Sequence, residues 1–518
     1  MKSRIFASLP PWIVVVPVIL FIFAFGLQSV NRYTIRRDEL TTLGHIGALH
    51  DNPEDITIAY TLESLSIYSA DHAPLYYVLI KVWGEQFGFN YFVLRIVSVW
   101  FGMIAIAGTY WLGRRIASHY TGLFASLILG TNILFYGNVH EMRDWTMLIM
   151  LSVLVWIAYW HVAHKRQSVK WYEYIPLFIL VAISLYTSYL VVFLLATIGL
   201  YHLLAVPINK RWWIVSVTVA SAGLLFLPWL PVFVKGLGFA QHHIDNDNPM
   251  LLNNLTLIPN IMTLWGNGYV ALFVILMGLG LYASWKDWKT ARAIIFFFVL
   301  MLGSLLILNN FFLFLKRVRY VLNLTVPFAL LGGYGLAWLM QSKVLRYLPA
   351  VFFVAWIFLG YGFTDSDEFK DHLAKDRVVQ YPEYNSLIPI LREYAKKRDL
   401  FIQAHYRFSA IQQSKQELIS IDEYYMRDLK LKLVNFPLYV QWSDSGIDAT
   451  PIEYATGLIP QYDAFWFDYH SDNITDEIIE FQSIVGENYS ICETFEYGER
   501  SVLVRYVRTD QRAELCVQ

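Results

Sequence analysis

Residues 143–163 read RDWTMLIMLSVLVWIAYWHVA, a charged start followed by an apolar run closed by Lys165-Arg166. Such a run has the roughly 20 residues that cross a hydrocarbon core of about 30 Å. Comparable runs occur near 11–31, 92–112, 117–137, 211–233, 268–285, 292–310, 320–340 and 345–363. The apolar stretch 172–206 is too long for one helix, so it reads as two spans turning around Tyr186-Thr187-Ser188-Tyr189. The sequence thus predicts a polytopic α-helical membrane protein of about eleven transmembrane helices.

Composition agrees. Of 518 residues only 16% are charged and 56% are hydrophobic, against roughly 25% and 45–50% in soluble proteins, which excludes a water-soluble enzyme. Residues 364–518 carry 16 basic and 27 acidic residues, leaving 24 basic and 14 acidic in 1–363. The chain therefore divides at 363/364 into a membrane body and a hydrophilic tail. The basic excess of the body sits in short clusters between apolar runs, so it reports topology and not nucleic-acid binding. Lys2 and Arg4, Arg114-Arg115, Lys165-Arg166, Lys210-Arg211, Lys286 to Arg292, and Lys343 to Arg346 alternate onto one side. By the positive-inside rule that side is cytoplasmic, which puts the N-terminus inside and the tail outside an inner (plasma) membrane. The run from Trp12 to Val30 follows a short basic segment without an evident cleavage site and reads as a retained first span.

The first outer loop, 32–91, is long and patterned. Leu40, Leu43, Ile46 and Leu49 recur every three residues, and Leu75, Val78, Leu79, Val82, Trp83 and Phe87 form a helical stripe. Both predict interfacial helices. In the tail, helices are predicted at 384–397 and 476–485. Strands are predicted at 400–404, 438–442 and 464–469, with a hairpin of 491–497 and 501–507 turning at Gly498-Glu499. That mixture is a small soluble α/β domain. Cys492 and Cys516, the two cysteines of the chain, both lie in it and can bridge in an oxidising space.

Ionisable residues beside membrane spans are expensive and mark sites. Asp38-Glu39 follow the first span and can supply a base, or can serve as an acidic helix N-terminus. His72-Ala73-Pro74-Leu75-Tyr76-Tyr77 opens the second surface helix, Arg95 lies in the second span, and Glu141-Met142-Arg143 ends the third. Lys316-Arg317-Val318-Arg319-Tyr320 places cations on the outer side, against the positive-inside rule. They suit either an anionic ligand gripped by guanidinium or anionic lipid headgroups. Lys81 adds a further cation, and Tyr186 and Tyr189 either line a sugar cavity or belong to an aromatic belt. His242-His243 with Asp245 and Asp247 look like a metal cluster on paper but read as solvated loop residues.

The acidic pair, the His-x-Pro-Leu-Tyr element, the short Glu-x-Arg turn, and Arg319-Tyr320 running on to Pro327 together resemble the GT-C glycosyltransferases. The nearest branch is that of bacterial relatives of protein O-mannosyltransferases and of the lipid A aminoarabinose transferase. The likeness covers about residues 30–340. It implies a GT-C fold and the inverting transfer of one sugar from a polyprenyl-phosphate donor to a lipid, polysaccharide or protein acceptor outside the membrane. It also implies Asp38 as the base, with Glu39 orienting it or binding the acceptor. Arg319, and beside it Arg317, Lys316 and Lys81, would hold the donor phosphate. His72, Tyr76, Arg95, Glu141, Arg143, Tyr186, Tyr189 and Tyr320 would line the cavity. Ala73 stands where many relatives have proline, which leaves the role of His72 open. No cofactor is obligatory on this reading, although Asp38, Glu39 and Glu141 could hold a divalent cation. The competing classes are an oligosaccharide ligase or polymerase, which favours a large late loop, and a transporter or flippase, which favours mid-membrane charge and paired halves.

Overall fold

Several helices of the membrane body begin where the sequence supplies polar caps. Asn90 Oδ1 accepts the Phe92 N–H at 2.8 Å and Ser118 Oγ accepts the Thr121 N–H at 3.1 Å, each satisfying a donor that the first helical turn leaves open. The computed structural model describes residues 13, 15–32, 35, 37–50, 52–165, 167–237, 254–312, 318–364, 384–396, 398–404, 421–435, 451–471, 474, 476–497 and 501–516. Lys316, Arg317, the expected strand 438–442, the Gly498-Glu499 turn and the His242-His243 cluster lie outside the described residues. The chain forms two units, Met1–Val30 with Glu54–Leu373, and Asn31–Pro53 with Ala374–Gln518.

In chain order the helices to residue 364 are α1 (Val16–Arg32), α2 (Arg37–His45), α3 (Ile58–Tyr68), α4 (Leu75–Phe87), α5 (Tyr91–Ile116), α6 (His119–Thr131), α7 (Ile133–Val139) and α8 (Trp145–His164). They continue as α9 (Ile175–Thr187), α10 (Val191–Ala205), α11 (Lys210–Leu224), α12 (Asn254–Trp265), α13 (Val270–Lys286), α14 (Trp288–Phe312), α15 (Thr325–Leu339) and α16 (Leu348–Thr364). Each of the eleven apolar runs carries helix. Among the described residues, six helices are long and apolar enough to cross a membrane, or eight if each bent pair is one span. The 172–206 run is interrupted at Ser188–Leu190, between α9 and α10, as its length requires.

The first unit packs through small residues. A Cβ on Gly333 of α15 would stand 2.6 Å from the Ala125 nitrogen of α6, and one on Gly335 2.5 Å from the Gly280 nitrogen of α13. Lipid tails are as apolar as leucine, so helices in a bilayer associate largely through such close backbone contact.

The two bent pairs expose backbone that hydrocarbon cannot solvate. Between α6 and α7 the chain bends by 61°, and between α12 and α13 by 85°. Two asparagines close both breaks. Asn132 Nδ2 donates to Leu264 O at 3.0 Å and Trp265 O at 3.3 Å. Asn267 Oδ1 accepts the Ile133 N–H at 2.8 Å while its Nδ2 donates to Trp356 O at 2.8 Å. Asn267 sits at φ 57°, a left-handed conformation that asparagine tolerates better than most residues.

α4 is amphipathic as predicted, with a division of faces that the stripe alone does not specify. Val82 and Phe87 are exposed and the rest of the apolar stripe half-buried, whereas Tyr76, Tyr77, Ile80, Lys81 and Gly84 are buried. An interfacial helix that offers its apolar face to lipid must turn its polar face into the protein.

The second unit is built on a five-stranded sheet of order β2-β1-β3-β5-β4. Its strands are β1 (Leu400–Ala404), β2 (Lys432–Asn435), β3 (Ala464–His470), β4 (Tyr489–Tyr497) and β5 (Ser501–Arg508). β1 runs parallel to β2 and β3, and β5 is antiparallel to β3 and β4. The period-2 pleat separates two cores. Leu400, Ile402, Phe465 and Phe467 pack with residues of α19 (Pro451–Leu458) and α20 (Asp476–Gly486). Phe401, Trp466 and Leu503 pack with Tyr384, Leu387 and Leu391 of α17 (Tyr384–Tyr394) and Met426 of α18 (Ile421–Met426). Cys492 and Cys516 are bridged, with their Cα atoms 5.5 Å apart, which ties β4 to the segment after β5.

Asn267→Leu orphans the Ile133 N–H and the Trp356 carbonyl, each worth about 1–3 kcal/mol when buried. The midpoint of thermal unfolding of the purified protein in detergent should fall well below that of the parent. An unchanged midpoint would show that the breaks are closed by other means.

Candidate active site

The turn between α3 and α4 begins where α3 stops at Ser69, and the His72 N–H bonds back to Ser69 O at 2.9 Å. It presents Asp71 and His72 side by side. Asp71 Oδ1 lies 3.0 Å from His72 Nδ1, and the other ring nitrogen, Nε2, meets the Arg143 guanidinium. Arginine has no acceptor, so Nε2 must accept, and His72 is then the Nδ1–H tautomer donating to Asp71. The second arm of Arg143 donates to Tyr77 Oη at 3.0 Å. Tyr76 Oη pairs with Ser98 Oγ at 2.9 Å, and Arg95 donates to Val30 O at 2.7 Å.

The interruption between α9 and α10 serves this cluster. Tyr189 Oη lies 3.1 Å from His72 O and 3.2 Å from Ala70 O, and it accepts from Trp229 Nε1 at 2.9 Å. Asn323 reaches the same interruption, donating to Leu190 O at 3.3 Å. Arg319, in the helical turn Val318–Leu324, lies over the Trp145 ring at 5.5 Å, and Tyr320 packs on that ring at 5.6 Å. Trp145 follows Arg143 by two residues, so the Glu141–Trp145 segment carries one guanidinium and supplies the ring under the other.

The first unit thus joins His72, Tyr76, Arg143 and Tyr189 in one bonded cluster, with Arg319 and Tyr320 packed on Trp145, Arg95 bonded to Val30 O and Glu141 two residues before Arg143. Tyr186 does not join them, since its hydroxyl donates to Leu225 O at 2.8 Å. Lys81 is buried and forms an i,i+4 pair with Glu85 at 3.2 Å. Asp38 and Glu39 stand in the first turn of α2, in the second unit, with Asp38 half-buried and Glu39 buried. Sequence reasoning did not single out Asp71, Ser98, Trp145 or Trp229. The Asp-His dipeptide opening a surface helix was the available signal for Asp71.

Partial desolvation would raise the Asp71 carboxyl, but the adjoining His72 ring and the Arg143 guanidinium outweigh it and hold the group well below the usual carboxylate range.

Residues 71–234, about a third of the chain, match the family model described as Dolichyl-phosphate-mannose-protein mannosyltransferase. The match supports the GT-C superfamily, and with it the glycosyltransferase class, and it spans His72, Arg143 and Tyr189. Among solved structures, the chain is similar to ArnT from Cupriavidus metallidurans in the apo state, at 12% identity and TM-score 0.48, covering 95% of this chain and 97% of that one. The same protein bound to undecaprenyl phosphate gives 13%, 0.46, 97% and 98%. The oligosaccharyltransferase of Archaeoglobus fulgidus with Zn and sulfate gives 12%, 0.45, 93% and 72%. At these values the likeness carries no weight for function. No curated protein matches the chain at a significant level.

A depressed carboxylate stabilises the fold above its unfolded pKa of about 3.9, and that contribution is lost as pH falls toward the folded value. Asp71→Asn should therefore unfold at a lower temperature than the parent at pH 7, and the gap should narrow progressively as pH falls below about 4. A gap still undiminished at pH 3 would show that the charge of Asp71 plays no part.

Proposed function

We propose that the protein is an inverting glycosyltransferase of the cell inner membrane. It moves a single sugar from a polyprenyl-phosphate donor to a lipid, glycan or protein acceptor on the outer face, with its tail domain on that face. The observation that carries the reading is the Arg319 guanidinium, buried at 9% exposure over the Trp145 ring in the turn Val318–Leu324 that leads into α15. A buried cation at the start of an apolar helix suits an anion arriving at the membrane plane, and the phosphate of a lipid carrier is such an anion.

In the proposed reaction the acceptor hydroxyl attacks the anomeric carbon from the face opposite the phosphate. The new bond joins the acceptor oxygen to that carbon, the carbon–oxygen bond to phosphate breaks, and the hydroxyl proton passes to Asp38. Polyprenyl phosphate leaves as an anion, its charge met by Arg319, with Arg317 and Lys316 from the same segment. Fixed cations pointed at developing charge can supply much of the rate enhancement without a nucleotide or an obligatory metal. Asp38 is the more accessible of the acidic pair, which suits a base that must touch an acceptor, while buried Glu39 suits an orienting role.

Asp38→Asn keeps the shape and removes the basicity. Turnover, followed as the mass shift of the lipid or glycan fraction in membranes of a complemented deletion strain, should fall by about 10²–10⁴-fold, the usual worth of a general base. Glu39→Gln should cost less. Near-parental turnover in a properly inserted Asp38→Asn protein would remove Asp38 from the mechanism, and a reversed ranking would make Glu39 the base.

A further inference from the structure

The segment carrying the acidic pair is fastened to the tail domain. α2 ends in a Schellman motif, in which the Ala48 N–H bonds to Leu43 O at 2.9 Å and the Gly47 N–H to Gly44 O at 3.1 Å, with Gly47 at φ 74°. The chain then turns so that the carbonyls of Ala48 and His50 converge on one guanidinium. Arg427 donates to Ala48 O at 2.9 Å and to His50 O at 3.0 Å. At the other end of the segment, the Ile35 N–H donates to Tyr425 Oη at 2.8 Å. Two residues of the tail, two positions apart, thus hold both ends of the segment that contains Asp38.

The fastening is rooted in the core of the domain. Tyr425 stacks on Tyr384 at 4.0 Å, and Met426, between the two clamp residues, packs in the core with Phe401, Trp466, Leu387 and Leu391. Lys430, at φ 53°, turns the chain into β2, where its carbonyl accepts the Arg398 N–H at 3.0 Å. A cation beside the last carbonyls of a helix is also favoured by the helix dipole.

We propose that the tail domain acts as a clamp that fixes α2, and that Arg427 is its positioning residue, with Tyr425 in support. Arg427 acts on the reaction only by holding the segment that bears Asp38. The role in turnover rests on Asp38 being the base, while the clamp itself does not. A base held loosely reaches its proton in a smaller fraction of encounters, so loss of the clamp lowers turnover without removing the acid.

The test is hydrogen–deuterium exchange on the full chain in lipid nanodiscs, comparing parent, Arg427→Ala, Arg427→Lys and Tyr425→Phe, beside turnover in membranes. In Arg427→Ala, amides of 37–50 should exchange at least tenfold faster while those of β1 and β3 stay unchanged, with turnover falling about tenfold. Arg427→Lys should restore part of both, and Tyr425→Phe should loosen the start of the segment with the sheet intact. Unchanged exchange at 37–50 overturns the clamp. So does acceleration of sheet and segment together, which marks a general folding role. Faster exchange with full turnover overturns the positioning role. Failure of the base assignment reads out separately, as full turnover in Asp38→Asn.

Discussion

A guanidinium taken out of water must find acceptors or leave the protein, and the candidate site is organised around how Arg143 finds them. Its side chain divides between an imidazole and a phenol, His72 Nε2 and Tyr77 Oη, while its carbonyl lies 3.5 Å from Ser98 Oγ. Those partners come from the turn before α4, from α4 itself and from α5. One cation therefore sets the register of three elements. Asp71 balances the charge through the ring of His72, and Tyr189, from the interruption between α9 and α10, bonds the backbone of the same turn.

The same accounting governs the rest of the body. Hydrocarbon offers no partner to a free N–H or carbonyl, so every break in a helix must be closed from within. Asn132 and Asn267 do this for the two bent pairs by bonding across to each other's break, and Trp356 Nε1 donates to Thr131 Oγ1 at 3.0 Å beside them. Glycines let α5, α6, α13 and α15 approach closely enough for these short side chains to reach.

What the sequence disclosed follows from which forces act locally. Apolar length is a local property, so the helical runs and the tail's strands at 400–404, 464–469, 491–497 and 501–507 were legible, and the charges of His72, Arg143 and Arg319 beside apolar runs marked them as candidates. Bends are not local. Asn132 and Asn267 look like ordinary polar residues near span ends until the opposing backbone is in view. β2 is four residues, Lys432–Asn435, too short for alternation to register. Tyr186 and Tyr189 are indistinguishable in sequence, yet one bonds to Leu225 and the other to the His72 turn. Nor does the hydropathy of 31–53 announce that it groups with the tail, because that depends on carbonyls meeting Arg427, some 380 residues away.

The central claim is that the buried Arg319 holds the phosphate of a lipid carrier, and equilibrium binding of undecaprenyl phosphate to the purified protein in nanodiscs tests it most directly. The account predicts that the parent binds undecaprenyl phosphate in preference to undecaprenol. It also predicts that Arg319→Ala weakens the phosphate form at least tenfold, with Arg319→Lys intermediate because the planar fork is lost. Equal binding of the phosphate and the alcohol, or parental affinity in Arg319→Ala, would contradict it.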